Sequence, residues 1–194
     1  NMLRAEDFSK IFAACEELKK APLYIDDTPG LSLLQLRSKA RRMKERFGIK
    51  FLVIDYLQLM NSGTRSESRQ LEVSEMSRGV KAMARELDIP VLCLSQLNRA
   101  AEQREGHRPR MSDLRESGSI EQDADVVMML HREEYYYRHD PDWLVANPEK
   151  AGMGEIIIAK QRNGPTGTVQ LVWDGASTKY KDLSELSSDQ DFSQ

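Results

Sequence analysis

The sequence predicts an α/β fold: a mostly parallel sheet flanked by helices, with a β-hairpin near the C-terminal end. Three observations predict it. Phe51 to Ile54 and Val91 to Leu94 are continuous apolar runs of strand length, the kind carried by parallel strands that are covered on both faces. Between them Leu71, Val73, Met76, Val80, Met83, Ala84 and Leu87 recur at helical spacing, which makes a strand, helix, strand unit. Glu155 to Arg162 and Thr168 to Trp173 flank Asn163-Gly164-Pro165-Thr166-Gly167, a hairpin signal with a Gly-rich turn.

The remaining elements follow in chain order. Phe8, Ile11, Phe12, Cys15 and Leu18 place an amphipathic helix over Ala5 to Lys19, ending before Pro22, and its apolar face needs a partner. Leu23-Tyr24-Ile25 is a short strand candidate running into the turn cluster Asp26 to Gly30. Ser32 with Gln35 three residues on forms a capping box that opens a helix through Leu33, Leu36, Ala40, Met43 and Phe47, basic on its outer face and stopped by Gly48. Asn98 to Gly118 is polar, arginine-rich and aperiodic, which predicts surface loops with at most a helical turn. Val126 to Leu130 predicts a further buried strand, and Glu133 to Gly152, with Pro141 and Pro148, an irregular excursion. The serine-rich, acidic stretch 184–194 predicts a disordered tail after a single domain over 1–183.

Composition excludes several classes. A net charge of -3 argues against nucleic-acid binding by bulk charge and leaves only a local patch for it. Cys15 and Cys93 are far apart in apolar patterns; this is neither a disulfide framework nor a metal spacing, and both read as buried thiols in a reducing compartment. No apolar run approaches the roughly 20 residues that span a bilayer, so a cytoplasmic protein is expected.

In open α/β sheets ligands sit beyond the carboxyl ends of the strands, where Asp55 and the pair Ser95-Gln96 fall. An apolar strand ending in aspartate is the Walker B arrangement, which holds a carboxylate at the core's edge to bind Mg²⁺ directly or through water. A simple turn is the alternative. The Gln96 amide can bond a phosphate oxygen and an attacking water without changing charge; otherwise it is a loop glutamine that caps a helix. Lys160 and Arg162 alternate on one strand and so share a face, as a phosphoryl clamp or as cations protecting an edge strand. Arg99, Arg104, His107, Arg108, Arg110 and Arg115 make a locally basic stretch, either for DNA phosphates or simply exposed, and Gly118 allows close backbone approach. Tyr135, Tyr136 and Tyr137 either stack on a base or pack their loop onto the domain, and packing is the favoured reading.

Taken together, Phe51 to Met60 (FLVIDYLQLM), Ser74 to Leu87 (SEMSRGVKAMAREL), Val91 to Arg99 (VLCLSQLNR), Ser112 to Ala124 (SDLRESGSIEQDA) and Lys160 to Gly167 (KQRNGPTG) resemble the DnaB family of replicative DNA helicases across nearly all of Ala21 to Asp174. The resemblance implies part of a RecA-like P-loop NTPase core. It implies a homo-hexameric ring that couples ATP hydrolysis to 5′ to 3′ translocation on single-stranded DNA and duplex unwinding, with primase and a helicase loader as partners. By that pattern Asp55 is the Mg²⁺ carboxylate and Gln96 the sensing glutamine. Lys160 and Arg162 reach a neighbouring subunit's γ-phosphate, Arg162 as the finger, and Arg115, Glu116 and Gly118 line the DNA channel.

The departures are as informative. No G-x-x-x-x-G-K-[ST] phosphate loop occurs in the sequence, and no second strand-end carboxylate matches the family's catalytic glutamate. The chain is therefore expected to be a piece of a longer protein, without tight ATP binding or hydrolysis of its own. A RecA-like recombinase or regulatory ATPase, and a non-catalytic DNA-binding or docking module, are the competing readings.

Overall fold

The computed structural model describes residues 4–61 and 68–183, so the tail expected over 184–194 lies outside the described residues. The first helix, α1 (Ala5–Lys20), forms as its periodicity predicts. Its apolar face, however, stays open: Phe8, Ile11, Phe12 and Leu18 are exposed, and nothing among the described residues covers them. Cys15 sits on that face and is exposed as well, which corrects the reading of it as a buried thiol. Cys93 is the half-buried one, and burial pushes its thiol up to about 11. Leu23 to Ile25 forms no strand because no described strand runs beside it; Tyr24 instead stacks on Phe47 with ring centroids 4.5 Å apart.

Helix α2 (Leu33–Phe47) begins and ends where its local chemistry dictates. Ser32 Oγ accepts from Gln35 N at 3.3 Å while Gln35 Oε1 accepts from Ser32 N at 2.9 Å, and Gly48 closes the helix at φ 62°. Its cations turn toward α3 (Arg69–Leu87): Arg37 and Arg41 both grip Glu86, and Lys44 caps the Leu87 carbonyl. Leu33 lies where a β-carbon on Gly79 would sit, so the two helices approach over a glycine.

Strands β1 (Leu52–Ile54) and β2 (Val91–Cys93) pair in parallel across α3, as expected of the strand, helix, strand unit. Val73, Met76 and Met83 of α3 are fully buried against Ile54, Leu57, Ile89 and Ala40. Each such side chain contributes about 1.5–3 kcal/mol by leaving water. The opposite face is not covered, since Phe51 and Val53 are exposed.

Strands β3 (Val126–His131), β4 (Met153–Gln161), β5 (Gly167–Asp174) and β6 (Lys179–Asp182) form a separate antiparallel sheet in that order. The expected hairpin is β4–β5, with Ile158 opposite Gly167. β6 was not foreseen; Tyr180 brings it in by packing on Trp173 at 4.8 Å. β3 is buried on one face only: Val127 and Met129 pack on Leu114, Leu97 and Met111, whereas Val126, Met128 and Leu130 are exposed. All six of its residues but His131 are apolar, so the sequence could not reveal which face is inward.

The segment 98–118 is more ordered than surface loop. It makes 3₁₀ turns at Arg99–Gln103, Glu105–His107 and Met111–Ser117, then runs into the short helix α4 (Gly118–Asp123). Leu114 and Asp113 are buried, and Asp113 accepts from Arg104 and from the Arg110 backbone N–H. Residues 133–152 fold into α5 (Glu134–Tyr137) and α6 (Pro141–Ala146). Tyr137 stacks on Trp143 within the segment at 4.5 Å, and Tyr136 stacks on His107 of the preceding 3₁₀ turns at 4.3 Å, which packs this loop onto the domain. No helix among the described residues is long and apolar enough to cross a membrane.

Candidate functional site

The ends of the parallel strands build the first cleft. Pairing persists one residue past β2, with Leu94 N donating to Ile54 O at 2.9 Å, so Asp55 and the Ser95-Gln96 pair emerge side by side. With Tyr56 and Leu94 they line an open cleft of about 360 Å³. Asp55 is exposed, and no hydrogen bond or ion pair engages its carboxylate among the described residues. The loop after it returns through Gln58, whose Nε2 donates to Ser95 Oγ at 3.0 Å and to Gln96 O at 3.4 Å, while its Oε1 accepts from Gln96 N at 3.2 Å. One side-chain amide thus ties the two strand-end loops together.

The polar groups that line this cleft offer oxygen donors from a carboxylate, a hydroxyl and an amide, a set that suits a hard cation such as Mg²⁺. No group of three or more His, Cys, Asp or Glu side chains forms a metal cage among the described residues. A cation here would therefore complete its shell with water and phosphate oxygens, as Mg²⁺ does.

The second cleft, about 260 Å³, lies where β4 ends against α4 and α3; Arg78, Lys81, Arg85, Gln122, Asp123 and Arg162 line it. Lys160 is on β4 and Arg162 one residue past its end, and both side chains reach the Gln122 carbonyl. Lys160 Nζ donates to three carbonyls at the C-terminal end of α4, Glu121 at 2.5 Å, Gln122 at 3.4 Å and Ala124 at 2.8 Å. These carbonyls have no partner within the helix and carry its negative end, so an ammonium is stabilised there. Arg162 pairs with Asp125 at 3.1 Å. The Lys81 ammonium, then Arg162, holds the Asp125 carboxyl below the ordinary carboxylate range.

The basic stretch is partly spent on the fold. Arg104 pairs with buried Asp113, and Arg108 pairs with Glu155 and donates to Thr168 Oγ1 at 3.2 Å. Arg115 and Glu116 lie in the 3₁₀ stretch Met111–Ser117, but their side chains fall outside the description. Gly118 starts α4 with open space around its α-carbon.

The structure therefore brings Asp55 and Gln96 together in one cleft, while Arg162 lines the other and Lys160 meets it at the Gln122 carbonyl; the two clefts have no lining residue in common. Sequence reasoning missed Gln58, Lys81, Asp113 and Asp125. Position alone hints at Gln58, three residues past the strand-end aspartate; Lys81 and Asp125 meet only through packing across 44 residues of sequence.

Comparison with known proteins sets this geometry in context. The family model of the DnaB-like helicase C terminal domain matches residues 1–182. The chain is 51% identical over 180 residues to the replicative DNA helicase DnaB of Leifsonia xyli subsp. xyli, a match that covers 93% of this chain and 38% of that protein. A solved structure of a DnaB-like replicative helicase and its interactions with primase overlays with a TM-score of 0.82 at 39% identity, covering 93% of this chain and 42% of that one. A solved ATPase domain overlays with a TM-score of 0.83, also at 39% identity, over 93% of this chain and 62% of that one.

Proposed function

This chain belongs to the DnaB-like helicase C terminal domain family, and from that premise we propose that it forms the nucleotide-sensing and DNA-facing part of a replicative helicase motor. The protein containing it couples ATP hydrolysis to 5′ to 3′ movement along single-stranded DNA, as a homo-hexamer in the cytoplasm, with primase and a helicase loader as partners. The observation that carries this reading is the placement of Asp55 and Gln96 at the carboxyl ends of adjacent parallel strands, tied by Gln58 over one cleft.

Asp55 holds Mg²⁺ and Gln96 meets the γ-phosphate and the attacking water. A Mg²⁺ ion held by Asp55 would supply positive charge toward the phosphate oxygens. Arg162 lines the other cleft and Lys160 stands beside it on the Gln122 carbonyl, which suits a role of the pair toward the nucleotide of an adjacent copy, where cations stabilise charge arising as the phosphoryl group transfers. Arg115, Glu116 and Gly118 face the DNA backbone. The sequence lacks a phosphate loop, and the 194-residue chain alone turns over no ATP in this reading.

The test is Asp55→Asn in the full-length protein. ATP turnover falls by about a hundredfold or more while single-stranded DNA binding persists. Turnover at the unmodified rate would remove the metal role from Asp55.

A further inference from the structure

Arg162 is held by one residue in two ways. Its backbone N–H donates to the Asp125 carbonyl at 2.9 Å, and its Nη1 lies 3.1 Å from Asp125 Oδ1. Asp125 sits between α4 and β3, and its other oxygen, Oδ2, is taken by the Lys81 ammonium from α3. A third, longer contact joins Arg162 Nη2 to the Gln122 carbonyl at 3.4 Å. Lys81, Asp125 and Arg162 therefore form a chain that ties the middle of α3 to the end of β4.

An arginine at an exposed strand end has about 2 kcal/mol of rotamer entropy to lose when it is fixed on a phosphate. A carboxylate that already restrains the side chain removes part of that cost before the ligand arrives. Asp125 can do so without consuming the guanidinium, because it occupies one of five N–H donors. Lys81 serves two ends: it anchors the carboxylate, and its charge offsets the pull with which Asp125 would compete against a phosphate. The carboxyl is held below its ordinary range and stays anionic at neutral pH, so the arrangement persists under working conditions.

We propose that Asp125 is a positioning residue for Arg162, with Lys81 fixing the carboxylate, so that the guanidinium is presented to the phosphoryl group of an adjacent copy in one orientation. This rests on the reading of Arg162 as the cation that acts on the neighbour's nucleotide. A residue that only aligns a transition-state contact affects kcat, not the affinity for ATP.

The experiment compares Asp125→Asn, Asp125→Glu, Arg162→Ala and the double variant Asp125→Asn/Arg162→Ala in the full-length protein, measuring ATP turnover, ATP affinity and hexamer formation. Asp125→Asn lowers kcat by about 10- to 100-fold with ATP affinity unchanged within about twofold, and Asp125→Glu recovers part of the loss. The double variant is no slower than Arg162→Ala, because both changes remove the same contribution. Losses that multiply in the double variant, or an unaffected kcat in Asp125→Asn beside a collapsed kcat in Arg162→Ala, overturn the positioning role and leave the reading of Arg162 standing. An unaffected kcat in Arg162→Ala overturns that reading itself. Should Asp125→Asn fail to assemble, Lys81→Met carries the test: kcat falls by about three- to tenfold at unchanged ATP affinity, and an unchanged kcat overturns the proposal.

Discussion

Gln58 grips Gln96 on both sides of its backbone, accepting from its N–H at 3.2 Å and donating to its carbonyl at 3.4 Å. The two residues are 38 positions apart in sequence, and the contact fixes the loop that presents the Gln96 side chain. Gln58→Ala leaves that loop without its tie, at a cost of about 1 kcal/mol per hydrogen bond. In the full-length protein ATP turnover should fall about tenfold, measured beside a DNA-binding assay that stays constant. Turnover within about twofold of the unmodified protein would show that Gln96 needs no such support.

Arg115 lies on the turn that leads into α4. If it meets the DNA backbone, Arg115→Ala weakens single-stranded DNA binding most at low salt. It also reduces the slope of log affinity against log salt by about 0.7, the share of one phosphate contact. Titrations at several salt concentrations read both quantities. An affinity that does not change across salt would refute the channel role.

Asp113 is buried and receives Arg104 and the Arg110 backbone N–H. Asp113→Ala strands the Arg104 guanidinium in a quarter-exposed site, and breaking such a pair costs about 3 kcal/mol. Chemical denaturation of the chain should show a midpoint lowered accordingly. A shift equivalent to under about 1 kcal/mol would mean that the pair behaves as a surface ion pair.

His131 closes β3 on its buried face, and burial lowers its pKa below the ordinary 6.5, although Glu155 pulls the other way. The folded state therefore binds the proton less well than the unfolded chain. Its contribution is complete above about pH 6.5 and is lost as pH falls through the folded value. Melting curves between about pH 8 and about pH 5 should show a steeper loss of stability for this chain than for His131→Gln. Parallel curves would place the pH dependence elsewhere.

How much of this was legible in the sequence depends on how local each cause is. α2 was readable at both ends because Ser32, Gln35 and Gly48 act within one turn of the helix they bound. Asp55 and Gln96 were readable as strand-end residues because their strands are continuous apolar runs. The exposure of Cys15, the one-sided burial of β3 and the pairing of β6 were not, since each depends on what lies alongside. The arginines at 104 and 108 looked alike as free surface charge, and only Asp113 and Glu155, brought in from elsewhere, make them structural. The roles given to Arg115, Glu116 and Gly118 come from the family pattern rather than from geometry.

The three carbonyls that receive Lys160 have a consequence for which cation can stand where. An ammonium carries three donors in a tetrahedral fan, which matches carbonyls converging at a helix end, whereas a guanidinium is a flat fork suited to one carboxylate edge. Exchanging lysine and arginine between positions 160 and 162 would keep charge, strand and spacing unchanged. It would still put each cation against the other's shape of partner, so the pair is ordered, and neither member is a conservative replacement for the other.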